Sequence, residues 1–233
     1  MNVLPTAGAI AGAGLFVAVV GGFWYFATPK FWVVGYMPTQ PGGGFNHQLH
    51  AGKLGLDCRY CHTKVESSPE ANVPNVATCY GCHAENHVKL PDEQNKKSDF
   101  VRDAFSKDAP IEWRRVHKLP DYVRNFPHNI HLNAGVSCFS CHGQMTGEPV
   151  VWQQQPMSMG WCLDCHRAAG VNPEQKLVPK DKVTNLLWVE QHFKDVEKAS
   201  ESGKVSAVDG FDAHAAYESL RLNPPQNCGA CHY

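Results

Sequence analysis

The chain of 233 residues has almost no net charge, with 21 Lys and Arg against 22 Asp and Glu. A nucleic-acid surface needs a basic excess, so the balance argues against one and favours no strongly charged partner. No stretch sustains an apolar–polar alternation, which leaves a sheet protein without support. Nothing resembles a nucleotide-binding loop or a catalytic triad. Finally, no cysteine stands alone, because all 10 fall in one repeated pentapeptide.

That pentapeptide is Cys-x-x-Cys-His, at Cys58–His62, Cys79–His83, Cys138–His142, Cys162–His166 and Cys228–His232. The pattern is that of c-type haem attachment. Two thiols bond to the haem, and the adjacent histidine becomes an axial iron ligand. Cys58, Cys61, Cys79, Cys82, Cys138, Cys141, Cys162, Cys165, Cys228 and Cys231 are thus the expected anchors of five covalent haem c groups. His62, His83, His142, His166 and His232 are the expected proximal ligands. A zinc ribbon pairs its Cys-x-x-Cys units around one metal and needs no histidine after each pair. A disulfide scaffold has no reason to repeat one spacing five times, and a thioredoxin-like site needs a single motif.

Attachment of this kind takes place outside the bacterial cytoplasmic membrane, so the haem-bearing part must be exported. Ala7 to Phe26 is a run of twenty residues without a charge, enough to span a bilayer as a helix. Trp24, Tyr25 and Trp32 fall where an interfacial aromatic belt belongs, with Lys30 beside them. A cleaved signal peptide wants a basic start, and Met1 to Thr6 has no Lys or Arg. An uncleaved single-pass anchor in the inner membrane is therefore expected, with the haem domain on the periplasmic side. Ala7, Gly8, Ala11, Gly12 and Gly14 suit close packing against other membrane helices.

The expected fold is a multihaem cytochrome c: loop-rich, mainly short α-helices wrapped around five haems, plus one N-terminal transmembrane helix. Roughly forty residues per haem leave little room for a separate side-chain core. Sixteen prolines and twenty glycines fit a loop-rich chain. Asp181 to Lys198 is the best helical candidate, with Asp181 as its cap and Val183, Leu186, Leu187, Phe193 and Val196 on one face. Phe211 to Leu222 is a second candidate, ended by Asn223-Pro224-Pro225. Short helices are expected after the attachment motifs.

An internal repeat points to the distal ligands. Phe45-Asn-His47-Gln-Leu-His50 stands before Cys58, and Phe126-Pro-His128-Asn-Ile-His131 stands before Cys138. Each block precedes two attachment motifs. The chain therefore divides into an anchor over 1–34 and a haem domain over 35–233. That domain holds two-haem modules at 45–90 and 126–170 and a terminal haem at 228–232. Histidines at i and i+3 project from one side of a helical turn, so His47, His50, His128 and His131 are expected distal ligands. For the fifth, His117 is favoured by its aromatic and basic setting. His192, on the polar side of the late helix, His214 and a Met remain alternatives, and His87 and His214 read as solvated. Arg59, Arg114, Arg115, Arg124 and Arg167 are candidate partners for haem propionates.

Several of these words together resemble a known family. They are Tyr36-x-Pro38-x-Gln40-Pro41, the Phe45-x-His-x-x-His block, Asp57-Cys-Arg-Tyr-Cys-His62, Val65-Glu-Ser-Ser68, Trp113-x-Arg-Val-His117 and Met159-Gly-Trp-Cys-Leu-x-Cys-His166. In this order they resemble the pentahaem cytochrome c subunit of alternative complex III, over nearly the whole chain. The resemblance implies an electron-carrying subunit of a membrane quinol:acceptor oxidoreductase in a respiratory or photosynthetic chain. Its implied partners are an iron–sulfur subunit, polytopic quinol-binding subunits, a monohaem cytochrome c and a soluble periplasmic acceptor. It carries the two histidine pairs and His117 over as distal ligands. Gly42-Gly-Gly44 departs from the family's approach to Phe45 and is expected to loosen the link to the anchor. Two rivals remain: a self-standing anchored multihaem quinol dehydrogenase feeding a periplasmic reductase, and a multihaem reductase with an open iron position.

Overall fold

A computed structural model describes residues 3–31, 36–88, 91–119, 123, 126–202 and 207–232. Trp32, Arg124 and the expected boundary at residue 34 lie outside them. The first element, α1 (Leu4–Phe31), is a helix of 28 residues. At 1.5 Å per residue it is about 42 Å long, more than a bilayer core needs. Its apolar stretch, Leu4–Ala27, buries nothing against the rest of the chain.

Beyond α1 the described chain is short helices and loops. They are α2 (Cys58–Cys61), α3 (Val76–His83), α4 (Asp92–Lys96), α5 (Asp99–Ser106), α6 (His128–Asn133), α7 (Cys138–His142), α8 (Met159–Ala168), α9 (Leu186–Glu201) and α10 (Ala213–Ser219). Among the described residues the only strand-like pairings are isolated bridges, Val136 with Leu177 and Val208 with Phe211.

The attachment motifs are themselves helical; helices were expected to follow them. Local capping explains why. Asp57 accepts the Arg59 N–H and Ser137 the Phe139 N–H, so α2 and α7 start at their first cysteine. Asn75 accepts the Thr78 N–H and Ser158 the Trp161 N–H, so α3 and α8 start a turn earlier. Short polar side chains at the N-cap satisfy amides that have no partner within the helix. The two modules thus repeat the same pair of caps, at one residue and then at four residues before the first cysteine.

The expected late helix exists but starts later. Asn185, not Asp181, caps it by accepting the Trp188 N–H. Its buried face is Leu186, Val189, His192 and Val196, at helical spacing. Leu187 points outward and is 68% exposed. His192 was expected on the polar side but is only 1% exposed. It stacks on Trp188 with ring centroids 4.7 Å apart, and its Nδ1 bonds Asp209 at 3.0 Å. The second late helix is shorter than expected, running from the Asp212 cap over Ala213–Ser219.

A small side-chain core is also present, where the haems alone were expected to serve. Val65, Leu132, Val178, Val183 and Val189 are buried together, with Phe139, Trp188 and Phe193 packed on them. Val65 comes from the first module, Leu132 and Phe139 from the second, Val178 and Val183 from the segment leading into α9, and Trp188, Val189 and Phe193 from α9 itself. This cluster joins the modules, since burying aliphatic side chains from three segments at once holds those segments in register.

The glycines before Phe45 form a defined turn; a loosened link was expected. Pro41–Gly43 is a 3-10 turn in which Gly42 has φ 63°. A β-carbon on Gly42 would collide with the Phe100 ring. Gln40 pins the same region to Arg114 by two hydrogen bonds, donating to its carbonyl at 2.7 Å and accepting from its N–H at 2.9 Å.

Candidate haem-binding site

The two Phe-x-His-x-x-His blocks fold alike. The first runs from His47 through a π-turn, Gln48–Lys53, and the second forms α6. Phe45 lies edge-on to His47 (centroids 4.8 Å) and stacks on His50 (4.3 Å). Phe126 does the same with His128 (4.9 Å) and His131 (4.4 Å). The phenylalanine therefore orients both imidazoles of its block.

The second histidine of each block faces the second attachment motif of its own module. His50 and His83 have ring centroids 6.0 Å apart, and His131 and His166 6.2 Å. Two imidazoles bound to one metal, each through a bond of roughly 2 Å, sit at about this separation. The residues present therefore fit a bis-histidine haem at these two places.

Ring orientation supports the same fit. A ligating imidazole usually donates its other N–H to a carbonyl, which fixes the tautomer and leaves Nε2 bare. Nδ1 of His50 faces Asn46 O at 2.9 Å, His62 faces Asn72 O at 2.6 Å and His128 faces Pro69 O at 2.9 Å. His131 faces Pro127 O at 2.9 Å and His166 faces Pro225 O at 2.6 Å. His83 Nδ1 meets the Ser98 hydroxyl at 3.0 Å. His47 departs from this, with a buried Nδ1 that has no hydrogen-bond partner, and so does His142, whose Nδ1 faces His117 Nε2.

Burial separates the same histidines from the rest. All ten expected iron ligands, including His232, are half-buried. His87 and His214 are exposed, as expected, and His192 is enclosed.

The centre is crowded with imidazoles. His117 is brought to His142, with centroids 4.2 Å apart and a 3.2 Å contact from His142 Nδ1 to His117 Nε2. That is closer than a shared iron allows, so one of the two rings must turn for both to bind one metal. Burial lowers the pKa of His142 to about 3, with neighbouring imidazoles adding to it. Burial likewise lowers His47 and His117 to about 4. All three rings are therefore neutral at physiological pH, the form that binds a metal.

Two of the candidate arginines are engaged by carboxylates. Arg59 pairs with Asp57 at 2.9 Å and with Glu66 at 3.3 Å, and Arg167 lies 3.6 Å from Asp164. Sequence reasoning overlooked Arg102, which donates to the His83 carbonyl at 3.2 Å. It overlooked Thr184 too, whose hydroxyl donates to Asp57 at 2.8 Å. Neither has a motif that flags it.

Burial opposes the charged form of Asp57, but hydrogen bonds from Arg59 and Thr184 outweigh it and hold the carboxyl below its usual value. A depressed folded value gives stability that is present above the unfolded pKa of about 3.9 and lost as pH falls through the lowered value. Asp57→Asn is therefore expected to melt below wild type at neutral pH, with the two curves converging in acid. Thermal unfolding of both holoproteins against pH checks this, and a constant gap would count against it.

Repeated attachment helices, paired imidazoles and an apolar N-terminal helix define the class: this is a multihaem c-type cytochrome. No family model matches the chain. The "Menaquinone reductase, multiheme cytochrome c subunit" of Nitratidesulfovibrio vulgaris is 30% identical over 181 residues, covering 75% of each chain. The chain belongs to the multihaem cytochrome c family of that subunit.

Proposed function

We propose that the chain is the electron-transfer subunit of a membrane quinone oxidoreductase, relaying electrons through five c-type haems. The observation that carries this reading is the pair of opposed imidazoles, His50 with His83 and His131 with His166, at the spacing of a closed bis-histidine site. When bound, haem supplies a one-electron iron couple. The chain's own residues then do three things. Ten cysteines would anchor the rings, the proximal and distal histidines would ligate the irons, and Phe45 and Phe126 hold His50 and His131 in place. With His47, His117 and His128 as the other distal ligands, no site is open to substrate, and transfer is outer-sphere.

Helix α1 anchors the chain in the cytoplasmic membrane with the haem domain on the periplasmic side. One membrane helix cannot enclose a quinone, so the quinone site belongs to polytopic partner subunits. We place the assembly with alternative complex III: an iron–sulfur subunit and a monohaem cytochrome complete it, and a soluble periplasmic acceptor takes the electrons. The relative is a subunit of a menaquinone reductase. A chain of haems conducts either way, so the same wire serves quinol oxidation or quinone reduction as the potentials at its ends dictate.

Purification from native membranes in mild detergent, with mass spectrometry of the accompanying chains, tests the reading. An iron–sulfur subunit and polytopic subunits are expected to co-purify. A chain that emerges alone and is still reduced by quinol would be a self-standing quinol dehydrogenase instead.

A further inference from the structure

We propose that the five attachment sites follow one another in space in an order that differs from their order in the chain. The line begins at Cys79–His83, passes through Cys58–His62, Cys138–His142 and Cys162–His166, and ends at Cys228–His232. The first module is thus threaded backwards, and its second motif, not its first, is an end of the line. This inference rests on the five-haem reading above.

The central junction is set by two consecutive residues. Val183 O accepts from the Cys138 N–H at 3.3 Å and from the Ser137 hydroxyl at 2.7 Å. Thr184 donates its hydroxyl to Asp57 at 2.8 Å, and its carbonyl lies 4.0 Å from Cys58 Sγ. The starts of α2 and α7 are therefore held side by side on one strip of backbone. Two further bonds cross the modules here, from the Asn133 amide to Glu66 O at 3.1 Å and from the His128 N–H to Pro69 O at 2.9 Å.

The first module's other motif packs against the connecting segment, and its partner His50 accepts through its carbonyl from the Leu56 N–H at 3.1 Å, two residues before Cys58, so the second site lies beside the first. Tyr80 of α3 stacks on Phe105 of α5 with centroids 3.7 Å apart. Ser98 and Arg102, also from that segment, hold His83. At the opposite side, His166 bonds Pro225 O at 2.6 Å, three residues before Cys228. His131, which opposes His166, accepts through its carbonyl from the Val136 N–H at 2.9 Å, two residues before Cys138, so the fourth site lies beside the third. The second module therefore continues the line in chain order.

Exposure agrees with this order. Among the ten cysteines, Cys82 and Cys228 are exposed and the other eight are half-buried. The two exposed anchors are those of the two proposed end sites. Electrons therefore enter and leave this subunit at Cys79–His83 and Cys228–His232, and every transit crosses the Val183–Thr184 junction.

The test removes one site at a time from the full chain by paired Cys→Ala substitutions, purifies the holoprotein and titrates the remaining haems. Neighbouring irons repel each other's charge, so losing a haem shifts the potential of each haem beside it. Removing an end site is expected to shift one remaining wave, and removing an interior site two. Cys79→Ala with Cys82→Ala should shift one, and Cys58→Ala with Cys61→Ala two. The opposite result for those two variants would restore chain order and overturn the inference. Haem content by pyridine haemochrome separates the two claims, because a variant that loses no haem refutes the five-haem reading itself. If a variant fails to accumulate, iron positions in the wild-type holoprotein answer the same question. The iron at Cys79–His83 should then have the iron at Cys58–His62 as its single neighbour, and a second neighbour from another motif overturns the order.

Discussion

Methionine at position 50 is expected to raise the potential of a single haem by on the order of 100 mV and to leave the others nearly in place. His50 is aligned for ligation in three ways. Its ring stands 6.0 Å from that of His83, Asn46 O holds its Nδ1, and Phe45 stacks on its face. A thioether is a weaker donor to oxidised iron than an imidazole, so the reduced state gains and the potential rises. The affected haem is the one at Cys79–His83. Spectropotentiometric titration of His50→Met beside wild type reads the shift, with the exposed His87→Met as a control that moves nothing. Loss of the shifted wave when Cys79 and Cys82 are also replaced ties it to that site. Unchanged waves in His50→Met would mean that His50 is not a ligand. His131→Met should act in the same way on the haem at Cys162–His166.

Alanine at position 135 is expected to destabilise the holoprotein by about 2 to 4 kcal/mol. Gly135 has φ 90°, which a residue with a β-carbon adopts only under strain. That carbon would also lie 2.8 Å from Val178 O, so the backbone of the 177–178 segment would have to move. The Gly135 carbonyl in turn accepts from the Val178 N–H at 2.9 Å. The position lies between His131 and Cys138, so the distortion reaches a ligand and an anchor together. Denaturant unfolding followed at the haem bands measures it. Gly160→Ala has open space and no positive φ and should cost far less. Equal losses for both would show that the Gly135 backbone is not special.

The candidate attachment sites are legible because haem attachment is a local code. Two thiols and a histidine must be held within five residues, so the pattern survives in the sequence whatever the fold. The Phe-x-His-x-x-His repeat was legible for the same reason, since a single helical turn presents both imidazoles. The burial of His192 was not legible. Period counting placed it on the polar face, but the core around α9 extends far enough to enclose it, and Asp209 supplies a partner that makes the burial tolerable. Leu187 shows the converse, an apolar side chain at a position the core does not reach. The turn at Gly42 was not legible because Phe100, which packs against it, lies far along the chain.

What the sequence determined by itself is the local pattern: five Cys-x-x-Cys-His motifs, two Phe-x-His-x-x-His blocks and a helix long and apolar enough to cross a membrane. Each depends on residues a few positions apart. What only the tertiary structure decided is arrangement. It opposed His50 to His83 and His131 to His166, and set the first and third motifs side by side on Val183 and Thr184. Those contacts join residues 33 to 127 positions apart, and at such separations no local spacing records which partner will be met. The packing of the Val65–Leu132–Val189 core holds these segments together.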